Sequence, residues 1–294
     1  MDKANRAKLM LIASMVIYGT IGLFRRYIPL GSATLAMTRG VIGVLVFLAA
    51  ALILKRKISA VDIKRNLLPL ILSGAFLGGN WILLFEAYNH TTVAVATMCY
   101  YMAPTFVILL SPLLFKERLT LRKWVCVGVA LVGMMLITGV LSPSGEGASL
   151  KGVLFGLGAA LMYTGIVLLN KIMKDISAFD KTVVQLGVSA VVLLPYVLLT
   201  EKTDTALLTP FVVAMVLVVG VLHTGIAYGL YFASIKRLPV QTVALFSYID
   251  PVLAVVISGV FLSESIGVLE WVGIACILGA TCVCELPQKN RLER

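Results

Sequence analysis

Apolar runs close to 20 residues follow one another along the whole chain, separated only by short polar connections. A run of that length, coiled as an α-helix, crosses a hydrocarbon layer of about 30 Å. The bilayer core offers backbone amides no outside partner, so a segment that satisfies its own hydrogen bonds is the structure such a run must take. The composition agrees: the 294 residues are 60% hydrophobic and 13% charged, with a mean hydropathy of +1.01. Soluble domains are about 45–50% apolar and about 25% charged. The expected fold class is therefore an all-α polytopic membrane protein. Ten segments are expected, at roughly 7–24, 31–54, 67–88, 92–115, 121–141, 150–170, 180–199, 208–232, 238–262 and 266–284. No connection is long enough to hold a soluble domain.

The five cysteines, Cys99, Cys126, Cys276, Cys282 and Cys284, fall in or at the end of apolar segments and lack zinc or haem spacing. They read as small membrane-helix residues, and no cofactor is expected. The first run follows Lys3, Arg6 and Lys8 with no small-x-small cleavage pattern behind it, as a retained helix would.

The net charge of +11 raises the possibility of a polyanion partner, but its placement argues against nucleic acid. Of the 25 Lys and Arg residues, Arg39 lies inside the second segment. With a cytoplasmic N-terminus, the outer face keeps only Arg25, Arg26, Lys151 and Lys202, and the remaining 20 gather on the cytoplasmic side. This positive-inside bias places both termini in the cytoplasm and the protein in a cytoplasmic (inner or plasma) membrane. The basic stretch KERLTLRK, residues 116–123, is then a cytoplasmic loop.

The chain also resembles itself. Shifted by 147 residues, 100–125 lies on 247–272 without a gap: Tyr101 meets Tyr248, Pro104 meets Pro251, Ser111 meets Ser258, Glu117 meets Glu264 and Trp124 meets Trp271. At nearby offsets Tyr18 meets Tyr163 and Arg39 meets Gln185. Two five-helix units are expected, 1–145 and 146–294. Five is odd, so the units must have opposite orientations in the membrane. The loops after the fourth and ninth segments fit: the first carries Lys116, Arg118, Arg122 and Lys123, whereas its counterpart carries only Glu264 and Glu270. Inverted repeats with a binding site near the midplane are characteristic of secondary transporters.

The proline-led stretch from Pro104 to Glu117, its weaker copy from Pro251 to Glu264, Trp124 and Trp271 behind them, and Arg39 early in the second segment together resemble the drug/metabolite transporter superfamily, EamA-like. The resemblance spans essentially the whole chain. It implies two EamA-type repeats, a substrate cavity between them, alternating access and a metabolite moved by export. It leaves the substrate open.

Ionisable groups at membrane depth are costly, so each needs a reason. Asp250 is the deepest carboxylate, and Pro251 beside it frees carbonyls that must find other partners. A carboxylate next to loosened backbone suits a cation, an amine or a proton. A structural hydrogen bond is the plainer alternative. Ala103 occupies the matching place before Pro104, so the two prolines look like hinges common to both repeats and the acid a specific addition. Arg39 suits a substrate carboxylate, or serves as a structural anchor. Asn80, beside Gly78 and Gly79, is a cavity candidate, and Glu86 is either a gate, an interfacial carboxylate or the partner of Arg39. His223 fits a proton relay or a neutral bridge between helices. Trp81, Tyr100, Tyr101, Tyr163, Tyr228 and Tyr248 could line an aromatic pocket or simply pack, with Tyr101 and Tyr248 foremost because they precede the prolines at equivalent places. Trp124 and Trp271 read as interface anchors.

The chain has no HExxH, GxSxG or P-loop, no filter repeat and no ring of like charges, which sets a membrane enzyme, a nucleotide-driven pump and a channel behind a transporter. The expected partners are a small molecule, an amino acid or amine, membrane lipid, and protons if transport is coupled to them. A monomer or weak homo-oligomer is expected, because one chain holds both units.

Overall fold

The computed structural model describes residues 3–115, 120–138, 149–201, 205–235, 237–238 and 240–285. Among them there is no strand. The first apolar stretch is α1 (Lys3–Gly19) and α2 (Ile21–Arg26), broken at Thr20, followed by α3 (Ser32–Ile53), a short α4 (Ala60–Arg65) and α5 (Leu67–His90). Next come α6 (Val93–Tyr100), α7 (Ala103–Phe115), α8 (Leu121–Ile137), α9 (Leu150–Ile172) and α10 (Ala178–Thr200). After a 3-10 turn at Thr205–Leu207, α11 (Pro210–Leu217) runs through a π-helical segment (Val218–Ile226) into α12 (Ala227–Ile235). The chain closes with α13 (Val240–Ser247), α14 (Ile249–Phe261) and α15 (Val268–Glu285).

Among the described residues, 7 helical stretches are long and apolar enough to cross a membrane, and Ile249–Phe261 and Val268–Val283 are shorter apolar helices. Helix starts follow local chemistry. Thr92, Thr120, Ser177 and Thr209 each accept a hydrogen bond from the amide three residues on, and Pro210 supplies the first turn of α11. Large apolar side chains such as Leu52 (81% exposed), Leu199 (85%) and Val260 (69%) point away from the bundle, as a lipid-facing surface requires. Lys116, Glu117, Arg118, Lys202, Lys236, Lys289, Arg291 and Arg294 lie outside the described residues, as does the side chain of Cys284.

Helices from the two ends of the chain cross in opposite directions. In α3 and α10, Thr34 meets Glu201 while Gly43 meets Leu186. In α6 and α14, Val93 meets Glu264 beyond the end of α14 while Tyr101, just past α6, meets Asp250. In α8 and α15, Arg122 donates to the Val283 carbonyl while Gly133 faces Gly273. The last crossing brings backbones together. A methyl group at Gly273 would sit 2.6 Å from the Gly133 carbonyl oxygen and 2.7 Å from Ile137 Cγ1. Small residues permit this approach, which dispersion and carbonyl contacts then stabilise in lipid.

Gly273→Ala is expected to lower the midpoint of thermal unfolding in detergent by an overpacking cost of about 1–3 kcal/mol. Gly128→Ala, where a methyl group meets nothing within 4 Å, is expected to leave it unchanged or slightly raised. Equal midpoints for the two variants would contradict a tight α8–α15 crossing.

Candidate functional site

Two broken helices meet at the centre of the bundle. The fourth apolar stretch breaks at Tyr101 and Met102, between α6 and α7, and the ninth at Tyr248, between α13 and α14. Pro104 and Pro251 lie in the first turn after each break, where a missing amide is tolerated. Pro251 leaves the Ser247 carbonyl without its helical donor. The Tyr101 hydroxyl comes within 3.5 Å of that oxygen and donates to Asp250 Oδ2 at 2.9 Å. The Asp250 carbonyl in turn packs on α1, where a methyl group at Gly19 would lie 2.7 Å from it. The carboxylate is half-buried.

Aromatic rings spread from this contact. Tyr100 meets Tyr101 at 6.1 Å and Tyr163 at 5.5 Å between ring centroids, and Tyr18 meets Tyr228 edge-on at 5.6 Å. Arg39, 3% exposed, lies over Trp81 at 4.1 Å and Phe85 at 5.6 Å, and its Nε donates to Thr224 Oγ1 at 3.0 Å. No carboxylate among the described residues comes within ion-pair distance of it. Tyr18, Tyr88 and Tyr100 lie within electrostatic reach of both Arg39 and Asp250. A guanidinium and a carboxylate thus face one tyrosine-rich cluster without pairing to each other.

The π-helical segment shapes the Arg39 side. Its wider turn lets the Thr224 hydroxyl donate to the Val219 carbonyl at 3.2 Å while its oxygen accepts from Arg39. One residue earlier, His223 is fully buried. Its Nε2 lies 2.9 Å from Thr20 Oγ1, its Nδ1 3.4 Å from the Val218 carbonyl, and its ring meets Phe24 edge-on at 4.9 Å. A neutral imidazole holds one proton for two contacts, so its tautomer decides which nitrogen donates.

Asn80 and Glu86 lie apart from the cluster. Asn80 is buried against α9, where its Nδ2 donates to the Ala159 carbonyl at 2.6 Å and ties two helices. Glu86 pairs with His90 at 3.5 Å and accepts from Asn89, so its contacts are not with Arg39. Tyr248 forms the second break and is half-buried. Trp124 and Trp271 are exposed at 55% and 49%, on the lipid-facing side of α8 and α15.

Sequence reasoning gave no role to Tyr18, Tyr88, Thr20, Thr224 or Glu201. The alignment of Tyr18 with the pocket candidate Tyr163 in the repeat is the one signal in the sequence that points to it. Glu201 accepts from the amides of Ala33 and Thr34 and from the Thr34 hydroxyl at 2.7–2.9 Å, capping α3 from 167 or more residues away. Nothing local in the sequence announces that contact.

The model of the EamA-like transporter family matches the chain twice, over residues 5–139 and 150–284. An uncharacterized transporter of Bacillus subtilis (strain 168), YxxF, is 29% identical over 278 residues, covering 93% of this chain and 87% of its own. An uncharacterized transporter of Archaeoglobus fulgidus is 28% identical over 93% of this chain and 94% of its own. Protein RarD of Escherichia coli (strain K12) is 23% identical over 96% and 94%. A solved crystal structure shares the fold with a TM-score of 0.67 at 21% identity, over 94% of this chain and 96% of that one.

Thr224→Val removes the acceptor of a buried guanidinium N–H and is expected to destabilise the protein by about 1–3 kcal/mol, read as thermal unfolding in detergent. Glu86→Gln, at a partly exposed pair, is expected to stay within about 0.5 kcal/mol of the parent. A larger loss from Glu86→Gln would give that carboxylate a structural part that its contacts do not show.

Proposed function

The chain belongs to the EamA-like transporter family, and from that premise we propose that it is a secondary transporter moving a small amino acid or amine across the cytoplasmic membrane by alternating access. Export is the proposed direction, with both termini cytoplasmic. The proposed architecture is ten membrane spans in two inverted five-helix units. The double family match and the opposed crossings of α3 with α10, α6 with α14 and α8 with α15 support that arrangement. At the offset of 147 residues, α3 and α10 are counterparts, as are α8 and α15, and Tyr101 is the counterpart of Tyr248, two residues before its contact Asp250. One chain then holds a complete pathway, which favours a monomer.

The observation that carries the substrate reading is Asp250 in a broken helix, hydrogen-bonded to Tyr101 and ringed by tyrosines. A carboxylate at that depth is stabilised by a cation or a proton. A substrate ammonium would replace the Tyr101 hydroxyl on Asp250 and stack its apolar part on Tyr100, Tyr163, Tyr228 or Tyr248. Arg39 offers the opposite charge across the same cluster, which accommodates a carboxylate on a zwitterion. A proton competing for Asp250 would expel the amine and couple the two movements in opposite directions. His223 reaches this cluster through its neighbour Thr224 and through Thr20, so its part in proton movement would be indirect. Pro104 and Pro251 act as hinges because the breaks before them let each half-helix pivot.

Thermal unfolding of the detergent-purified protein against amino acids, polyamines, quaternary amines, nucleobases and organic anions, at mildly acidic and neutral pH, tests this. A ligand at about 100 times its Kd adds roughly 2.7 kcal/mol to stability. The expected result is stabilisation by amines or zwitterions that disappears in Asp250→Asn. Stabilisation by anions alone, unchanged in Asp250→Asn, would overturn the substrate assignment, and undiminished, still pH-dependent transport by that variant would remove Asp250 from coupling.

A further inference from the structure

At the far end of α14 from Asp250, a second carboxylate joins the same two helices. Glu264 follows Ser263, which sits in the left-handed region at φ 53°. A serine there costs more than a glycine would, and such conformations recur at clamps and switches. The turn folds back on α14, with the Glu264 amide donating to the Ser258 carbonyl at 3.1 Å. Its side chain, 11% exposed, then holds three elements. Oε1 accepts from Arg26 Nη2 at 2.5 Å, and Oε2 accepts from the Val93 amide at 2.9 Å and from the Ser258 hydroxyl. Val93 opens α6, so the carboxylate also meets the positive end of that helix.

Helices α6 and α14 come from opposite halves of the chain and run antiparallel. They are tied at one end by Tyr101 and Asp250 and at the other by Glu264, about 12 Å away along the 8 residues of α6. Resting on the alternating-access reading above, we propose that Glu264 is a releasable latch: with the Tyr101–Asp250 contact it forms a pair of bolts holding α6 against α14, and both must open before this end of the bundle parts. A ligand or proton that takes Asp250 from Tyr101 draws one bolt, and the ion pair with Arg26 is the other. Charge-assisted contacts of this type are strong when closed, yet water replaces them once they part. A fixed helix cap would look the same in one conformation but would not govern access to the site.

The test uses the full-length protein with its native cysteines replaced and one thiol introduced by Ala254→Cys, on α14 between the bolts and 4% exposed in the parent. A membrane-impermeant maleimide is applied from the side on which Glu264 lies. Labelling is expected to quicken about tenfold in Glu264→Ala, as a population shift from the loss of a charge-assisted hydrogen bond predicts, and by a smaller factor in Arg26→Gln. Arg26→Gln leaves the cap on Val93 intact, so it remains informative if Glu264→Ala does not fold. Unchanged labelling in folded Arg26→Gln, or in both variants, overturns the latch. The transport reading is judged separately by efflux and ligand stabilisation, so either idea can fail alone.

Discussion

A proline inside a lipid-buried span removes an amide where no water replaces it, and the centre of this protein is organised around that deficit. Pro251 strips the Ser247 carbonyl of its helical donor, and the Tyr101 hydroxyl, from a distant break, comes within 3.5 Å of that oxygen. Its one proton goes to the Asp250 carboxylate at 2.9 Å, so the hydroxyl that lies beside the freed carbonyl holds the deepest acid. Pro104 creates a matching break with Ala103 in place of the acid, and there the Thr164 hydroxyl lies 3.2 Å from the Ala103 carbonyl. The first break thus carries a hydroxyl contact where the second carries a carboxylate that a ligand can engage.

Arg39 shows a different solution to the cost of a buried charge. Its plane lies over Trp81, its Nε reaches Thr224, and the tyrosines Tyr18, Tyr88, Tyr100 and Tyr228 surround it at longer range. Aromatic faces stabilise a cation without neutralising it, whereas a carboxylate partner would do both. The π-helical segment makes this possible, because its wide turn turns the Thr224 oxygen toward α3 while its hydrogen still reaches a carbonyl.

Much of this was legible in the sequence because lipid leaves few choices. Apolar length marks the chain as all-helical, with 7 stretches long and apolar enough to span, and the Pro104 and Pro251 motifs fall where the fourth and ninth stretches break. Asn80 and Glu86 were misplaced in emphasis for a physical reason: spacing says which helix face a residue occupies but not which helix covers it. Asn80 turns to α9 and Glu86 to His90, while Tyr18, on a helix read only for its repeat position, joins the aromatic cluster. The acid caps at Glu201 and Glu264 were invisible for a related reason, since a cap donated from another part of the chain leaves no local pattern.

The opposed crossings also bear on how the chain assembles. Tyr101 waits for a partner 149 residues later, Arg39 for one 185 later and Thr20 for one 203 later. During synthesis the first half enters the membrane with the glycine face of α8 uncovered, Arg39 without its Thr224 acceptor, and α3 and α6 lacking the carboxylates that cap them. Contacts of such long sequence separation form late and are reached slowly. The polar centre is therefore complete only when the second half has docked against the first.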